Sequence, residues 1–223
     1  MATDYIFGTT SALTGWTRKN DASSEVTAWD YGLDGDGFWV ASEDFNVITT
    51  QSDSYEASLG ADVSSPVLGT TGDSCVTAVS LTKTGGAKAT LSVTAHTHGQ
   101  VGQGNGSYSW DLSDYISGSG WGACTPPIGA ALEDGAVVSW SLSAAIQHEE
   151  LSDCNGDHLN AENYDPIIDV TVEIIGSTPL ALTQDNITAG WELVSQETAA
   201  KSPGFTTSTT AARLHLAKPT PAS

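Results

Sequence analysis

The chain has 223 residues and a formal net charge of −20, from 27 acidic residues against seven Lys and Arg. The charged total of 15% falls short of the usual share of about 25%, so the charge comes from missing cations and not from added acids. A surface of this kind lacks the Lys and Arg that neutralise phosphates, which excludes nucleic-acid recognition; no apolar run reaches the about 18 residues of a membrane span.

The cations are unevenly placed. They stand at Arg18, Lys19, Lys83, Lys88, Lys201, Arg213 and Lys218, and residues 89–200 hold fifteen Asp and Glu with no Lys or Arg. Halophilic adaptation adds acids, which this chain does not do. Residues 1–6 lack a basic segment followed by an apolar one, so no secretory signal is expected. The three cysteines, Cys75, Cys124 and Cys154, are odd in number and widely spaced, which predicts reduced thiols and no disulfide framework.

Residues 26–31 and 38–48 read as strands joined by the turn Asp34-Gly35-Asp36-Gly37, and a strand continues near residues 54–57. Residues 75–81 and 89–95 alternate with period two, placing Val79 and Leu81, then Leu91 and Val93, on one face. The Gly85-Gly86 pair between them predicts a hairpin, with Lys83 and Lys88 solvated beside the turn. Residues 110–117 carry Leu112, Tyr115 and Ile116 at helical spacing, with Ser109 or Asp111 as N-cap, and predict one short helix.

Residues 137–146 form a strand with Val138, Trp140, Leu142 and Ile146 pointing one way. Residues 167–175 bury Ile168, Val170, Val172 and Ile174 and turn Asp169 and Glu173 outward. Residues 191–194 and 212–216 alternate too, and Trp140 and Trp191 read as core or interface anchors. The chain is thus expected to be mainly β, a β-sandwich or barrel with one short helix and long loops. A single domain spans residues 1–216, and residues 217–223, with Pro219 and Pro221, form a flexible tail.

No pattern in the chain carries catalysis, and an enzyme is not expected. A nucleophile elbow, a phosphate loop and a dinucleotide fingerprint are all missing. Asp153-Cys154-Asn155-Gly156-Asp157 begins like a calcium loop, but His158 and Tyr164 occupy the positions that need Gly and Glu. A looser set, Asp153, Asn155, Asp157 and Glu162, reads better as an acidic turn. His96, His98, His148, Cys154 and His158 lack the spacings of a zinc site. Adjacent acids such as Glu149-Glu150 point to opposite faces of a strand, which rarely suits acid–base work. No catalytic residue, cofactor or metal ligand is assigned.

The order of these elements resembles that of a known family. An early strand pair around Asp34-Gly35-Asp36-Gly37 is followed by a central hairpin and a short helix. Then come Asp165-Pro166-Ile167-Ile168-Asp169-Val170-Thr171-Val172-Glu173-Ile174-Ile175, Ile187-Thr188-Ala189-Gly190-Trp191-Glu192-Leu193-Val194 and a closing Ala211-Ala212-Arg213-Leu214-His215-Leu216. Over residues 10–216 this is similar to the major tail (tail-tube) proteins of tailed bacteriophages. The resemblance implies a structural virion protein, assembled in a host cytoplasm. Six copies would form a ring, and rings would stack into a tube through which DNA passes without specific binding. It also implies edge strands paired between subunits, loops within residues 51–72 or 99–106 bridging rings, and contacts with the tape-measure and other tail proteins. Asp169, Glu173 and Glu149 are the candidate lumen acids. A capsid decoration or other virion protein shares the composition, and a secreted carbohydrate- or calcium-binding β-sandwich is the alternative of a different class.

Overall fold

The computed structural model describes residues 13, 15–33, 36–37, 39–57, 66–71, 74–85, 87–98, 109–112, 128, 136–152, 158–177 and 183–217. These form one antiparallel sheet of ten strands, with no α-helix among the described residues. The strands are β1 Thr17–Leu33, β2 Trp39–Ala57, β3 Val67–Thr71, β4 Ser74–Thr84, β5 Ala89–His98, β6 Ser109–Asp111, β7 Ala136–Ser152, β8 His158–Gly176, β9 Glu192–Ser202 and β10 Phe205–His215. A 3-10 turn at Gln184–Asn186 precedes β9. The expectation of a mainly β chain is met.

Eight strands run in the order β1-β2-β5-β4-β7-β8-β10-β9, so β1 and β9 end this path among the described residues; β3 branches from β4 and pairs β6 on its far side. The period-two alternation explains why the two faces differ so sharply. Across the register, Tyr55, Leu91, Leu81, Leu142, Val170, Ala212 and Leu193 lie in one inner row. The next outer row is Ser54, Ser92, Ser80, Ser143, Asp169, Arg213 and Glu192. Another outer row is Glu56, Thr90, Thr82, Ser141, Thr171, Ala211 and Ser195. Ser and Thr thus stand where most sheets expose Lys and Glu, which is how the chain keeps few charges.

The inner rows join Leu68 of β3, Trp110 of β6, Leu112, Ile128, Ile187, Trp191 and Leu216 in one buried cluster. Trp140 and Trp191 are core residues, as expected. Burial of side chains this size removes apolar surface worth roughly 2 kcal/mol each.

Several expectations need correction. Trp110 and Asp111 belong to strand β6, not to a helix. Leu68 pairs Trp110 across β3–β6, and the indole Nε1 donates to Ala217 O at 2.8 Å, so tertiary pairing outweighs helical spacing here. Residues 113–117 lie outside the described residues. Lys83 is buried, not solvated: its strand parity turns it inward opposite Trp140, and its Nζ donates to Ala87 O, which closes the hairpin. Residues 51–57 are the end of β2 and residues 67–71 are β3, so most of the expected 51–72 loop is strand. The 99–106 loop is outside the described residues.

The β4–β5 hairpin is present, and Gly85 has a steric reason to be glycine. Its N–H donates to Val138 O at 2.7 Å, and a Cβ there would meet that oxygen at 3.2 Å. The β9–β10 hairpin turns at Gly204, whose φ of 90° is a left-handed conformation that glycine adopts at little cost.

Candidate functional site

The outer face is where the scarce cations are consumed. Arg213 Nε and Nη2 donate to Asp169 Oδ1 and Oδ2 at 2.7 and 3.1 Å, across directly paired positions of β10 and β8. This bidentate contact is the strong form of a guanidinium–carboxylate pair, and the Asp169 carboxylate holds the Arg213 guanidinium above its ordinary pKa. Lys201 Nζ lies 3.7 Å from Glu173 Oε1, and Ser139 Oγ donates to Glu173 Oε2 at 3.2 Å. Lys19 and Lys88 share Glu56, at 3.2 and 3.4 Å. Their ammonium groups, Lys19 first, hold the Glu56 carboxyl below the usual carboxylate range against a smaller opposing effect of desolvation.

On the inner side, Arg18 Nη2 donates to the buried Asp53 Oδ1 at 2.7 Å, and Tyr55 Oη donates to Oδ2 at 3.0 Å. Gln51 Nε2 adds a longer bond of 3.4 Å. A buried carboxylate needs this many donors to offset its lost hydration. Among the described residues, then, five cations form ion pairs with acids and Lys83 is buried. Lys218 lies outside the described residues.

Two of the three candidate lumen acids, Asp169 and Glu173, do point outward as expected, but both are neutralised by cations. Glu149 is exposed on β7 and stands directly opposite Glu162 of β8. A like-charge cross-strand pair of this kind is unfavourable, and neither acid forms an ion pair among the described residues.

Beyond Ala145 the β7–β8 ribbon no longer pairs with β4 and is held to β4 and β5 by side-chain contacts. Asn163 Oδ1 accepts from His148 Nδ1 at 2.7 Å and from the buried Cys75 Sγ at 3.3 Å. The His148 ring stacks on His96 with centroids 6.1 Å apart, and His96 Nδ1 is hydrogen-bonded to Thr50 Oγ1 at 3.1 Å. Because the Cys75 thiol donates to an amide oxygen, the cluster fastens the ribbon and does not assemble a thiolate–imidazole pair. The sequence spacing gave no sign of it, since its members come from β2, β4, β5, β7 and β8.

A cleft of about 290 Å3 opens beside this fastening, lined by Trp110, Glu162, Asn163, Tyr164, Asp165, Pro166, His215 and Leu216. Asp165 has φ 50°, a left-handed conformation uncommon outside glycine. The strand alternation breaks there: Tyr164 and Asp165 are both exposed, between buried Asn163 and Pro166. The break brings Glu162 and Asp165, three apart, onto the same cleft, as β-bulges often re-aim side chains. Leu216 N donates to Pro166 O at 3.0 Å and holds the chain after β10 against the kink.

Of the looser calcium set, Glu162 lines this cleft, while Asp153, Asn155 and Asp157 lie outside the described residues, as does Cys154. No three metal-ligating side chains gather among the described residues. Among the described residues no helix is long and apolar enough to cross a membrane.

No family model matches this chain. A search of curated proteins finds no match either.

Proposed function

We propose that the chain is a structural virion protein of the tail-tube type, which forms stacked six-membered rings that DNA traverses. The observation that carries this reading is the open, alternating sheet. With eight strands all antiparallel along the path, the edges β1 and β9 run in opposite directions. The β9 edge of one copy can therefore meet the β1 edge of the next in antiparallel fashion, the heterologous kind of contact that generates a ring when its rotation closes. Such pairing also satisfies the backbone groups that an isolated edge leaves open. The exposed Val194 on β9 is an apolar group on the edge strand that this contact uses.

The charge arrangement suits a conduit. Arg18, Lys19, Lys88, Lys201 and Arg213 are engaged by carboxylates, so phosphates passing the surface meet Ser, Thr and unpaired acids such as Glu149. Neutralised Asp169 and Glu173 contribute little repulsion; on this reading they organise the wall and Glu149 repels. Sedimentation velocity over a range of concentrations tests the reading. Closed oligomers or longer polymers are expected, and a monomer at every concentration would remove the support.

A further inference from the structure

We propose that the cleft between β6, β8 and the end of β10 binds an organic cation, the guanidinium or ammonium head of an arginine- or lysine-like group. This inference stands apart from ring formation. The cleft, of about 290 Å3, lies at the lower end of the size of small-molecule sites, enough for one side-chain-sized group. Its accessible aromatic wall is the Tyr164 ring, 46% exposed; the Trp110 indole, fixed by its bond to Ala217 O, lies in its floor and is almost wholly buried. Its acids, Glu162 and Asp165, form no ion pair among the described residues, and Glu162 faces Glu149 across the ribbon. An exposed aromatic ring together with carboxylates favours a cation that is flat or carries apolar carbon, by cation–π attraction and charge-assisted hydrogen bonds.

Other ligand classes fit less well. An anion would be repelled by both carboxylates. A metal ion needs a third close ligand, and no such group is present among the described residues. The left-handed Asp165 breaks the strand alternation, and Glu162 and Asp165 both line the cleft within the sequence Glu162-Asn163-Tyr164-Asp165-Pro166. The described cations form ion pairs with other acids or, for Lys83, a bond to Ala87 O, so none of them forms an ion pair with the acids of the cleft.

The test is a titration of the full chain with arginine amide, and separately with the peptide Gly-Arg-Gly, followed by two-dimensional amide NMR. Saturable shifts are expected at residues 162–167 and 215–217 and at the Trp110 indole N–H. Glu162→Gln and Asp165→Asn should each weaken binding roughly tenfold, the loss of one charge-assisted hydrogen bond. Both are mild changes: Gln relieves the Glu149 opposition, and Asn tolerates the left-handed backbone. Unchanged thermal melting of the variants confirms that they fold. Tighter binding of the peptide assigns the cation to a partner protein, and equal binding assigns it to a free small molecule; both support the site. Three results would overturn it: no saturable shift into the millimolar range, equal affinity in both variants, or a neutral sugar shifting the same signals more tightly than arginine amide.

Discussion

Glu56 shows how single residues carry the charge economy. It serves two lysines at once, and its carboxyl is held below its ordinary range chiefly by Lys19. A depressed folded-state pKa contributes stability above the unfolded carboxylate value, about 4.3, and the contribution is lost as pH falls through the depressed value. Glu56→Gln should therefore melt lower than the parent at neutral pH, and the two melting curves should converge on acidification. A difference that persists unchanged in acid would contradict the assignment, and added salt should shrink the neutral-pH difference because the pair is at the surface. Core and outer rows offer a second contrast. Leu142 is 1% exposed in the middle of the inner row, and Leu142→Ala should cost about 3 kcal/mol in denaturant unfolding. Its neighbour Ser143 faces solvent, and Ser143→Ala should change stability by less than about 0.5 kcal/mol.

At the scale of elements, the β7–β8 ribbon is the least conventional part of the sheet. β4 pairs β7 only as far as Ala145, and the ribbon beyond is fastened by Asn163, Cys75, His148 and His96. Asn163→Ala leaves the thiol and imidazole donors without their shared acceptor, and should cost about 1–3 kcal/mol. Hydrogen exchange should show the loss as faster exchange in residues 158–164 while β4 and β5 stay protected; uniform acceleration everywhere would mean that the cluster is not a local fastening. This arrangement could not be read from the chain, because it depends on register across five strands. Strands with large alternating residues were legible: Trp140, Leu142 and Ile146 in β7, and Ile168, Val170, Val172 and Ile174 in β8, declare their buried face directly. The β9–β10 hairpin was legible only at its ends. Residues 195–202 and 205–210 are built of Thr, Ser, Ala and Gln, which carry little hydrophobic contrast, and β10 buries Ser208 and Thr210 on its inner side. β3 and β6 are too short for periodicity to mark, and Lys83 broke the rule that a lysine beside a turn is solvated.

For the whole molecule, the sequence showed the shortage of cations but not their disposal. The Arg213–Asp169 pair joins residues 44 apart and the Arg18–Asp53 pair residues 35 apart, separations that only the sheet order resolves. On the proposed reading, the broad Ser and Thr rows and the committed cations give phosphate little purchase, and β1 and β9, each paired on one side among the described residues, offer another copy a place to pair. The central claim is that these features belong to one assembly, with β9 pairing β1 of the next copy around a channel free of unpaired cations. A cryo-electron-microscopy map of the assembled protein tests it most directly. The account predicts a closed ring with continuous β9–β1 hydrogen bonding and a channel lined by Ser, Thr and acidic side chains; a basic channel, or rings joined through surfaces other than these edges, would contradict it.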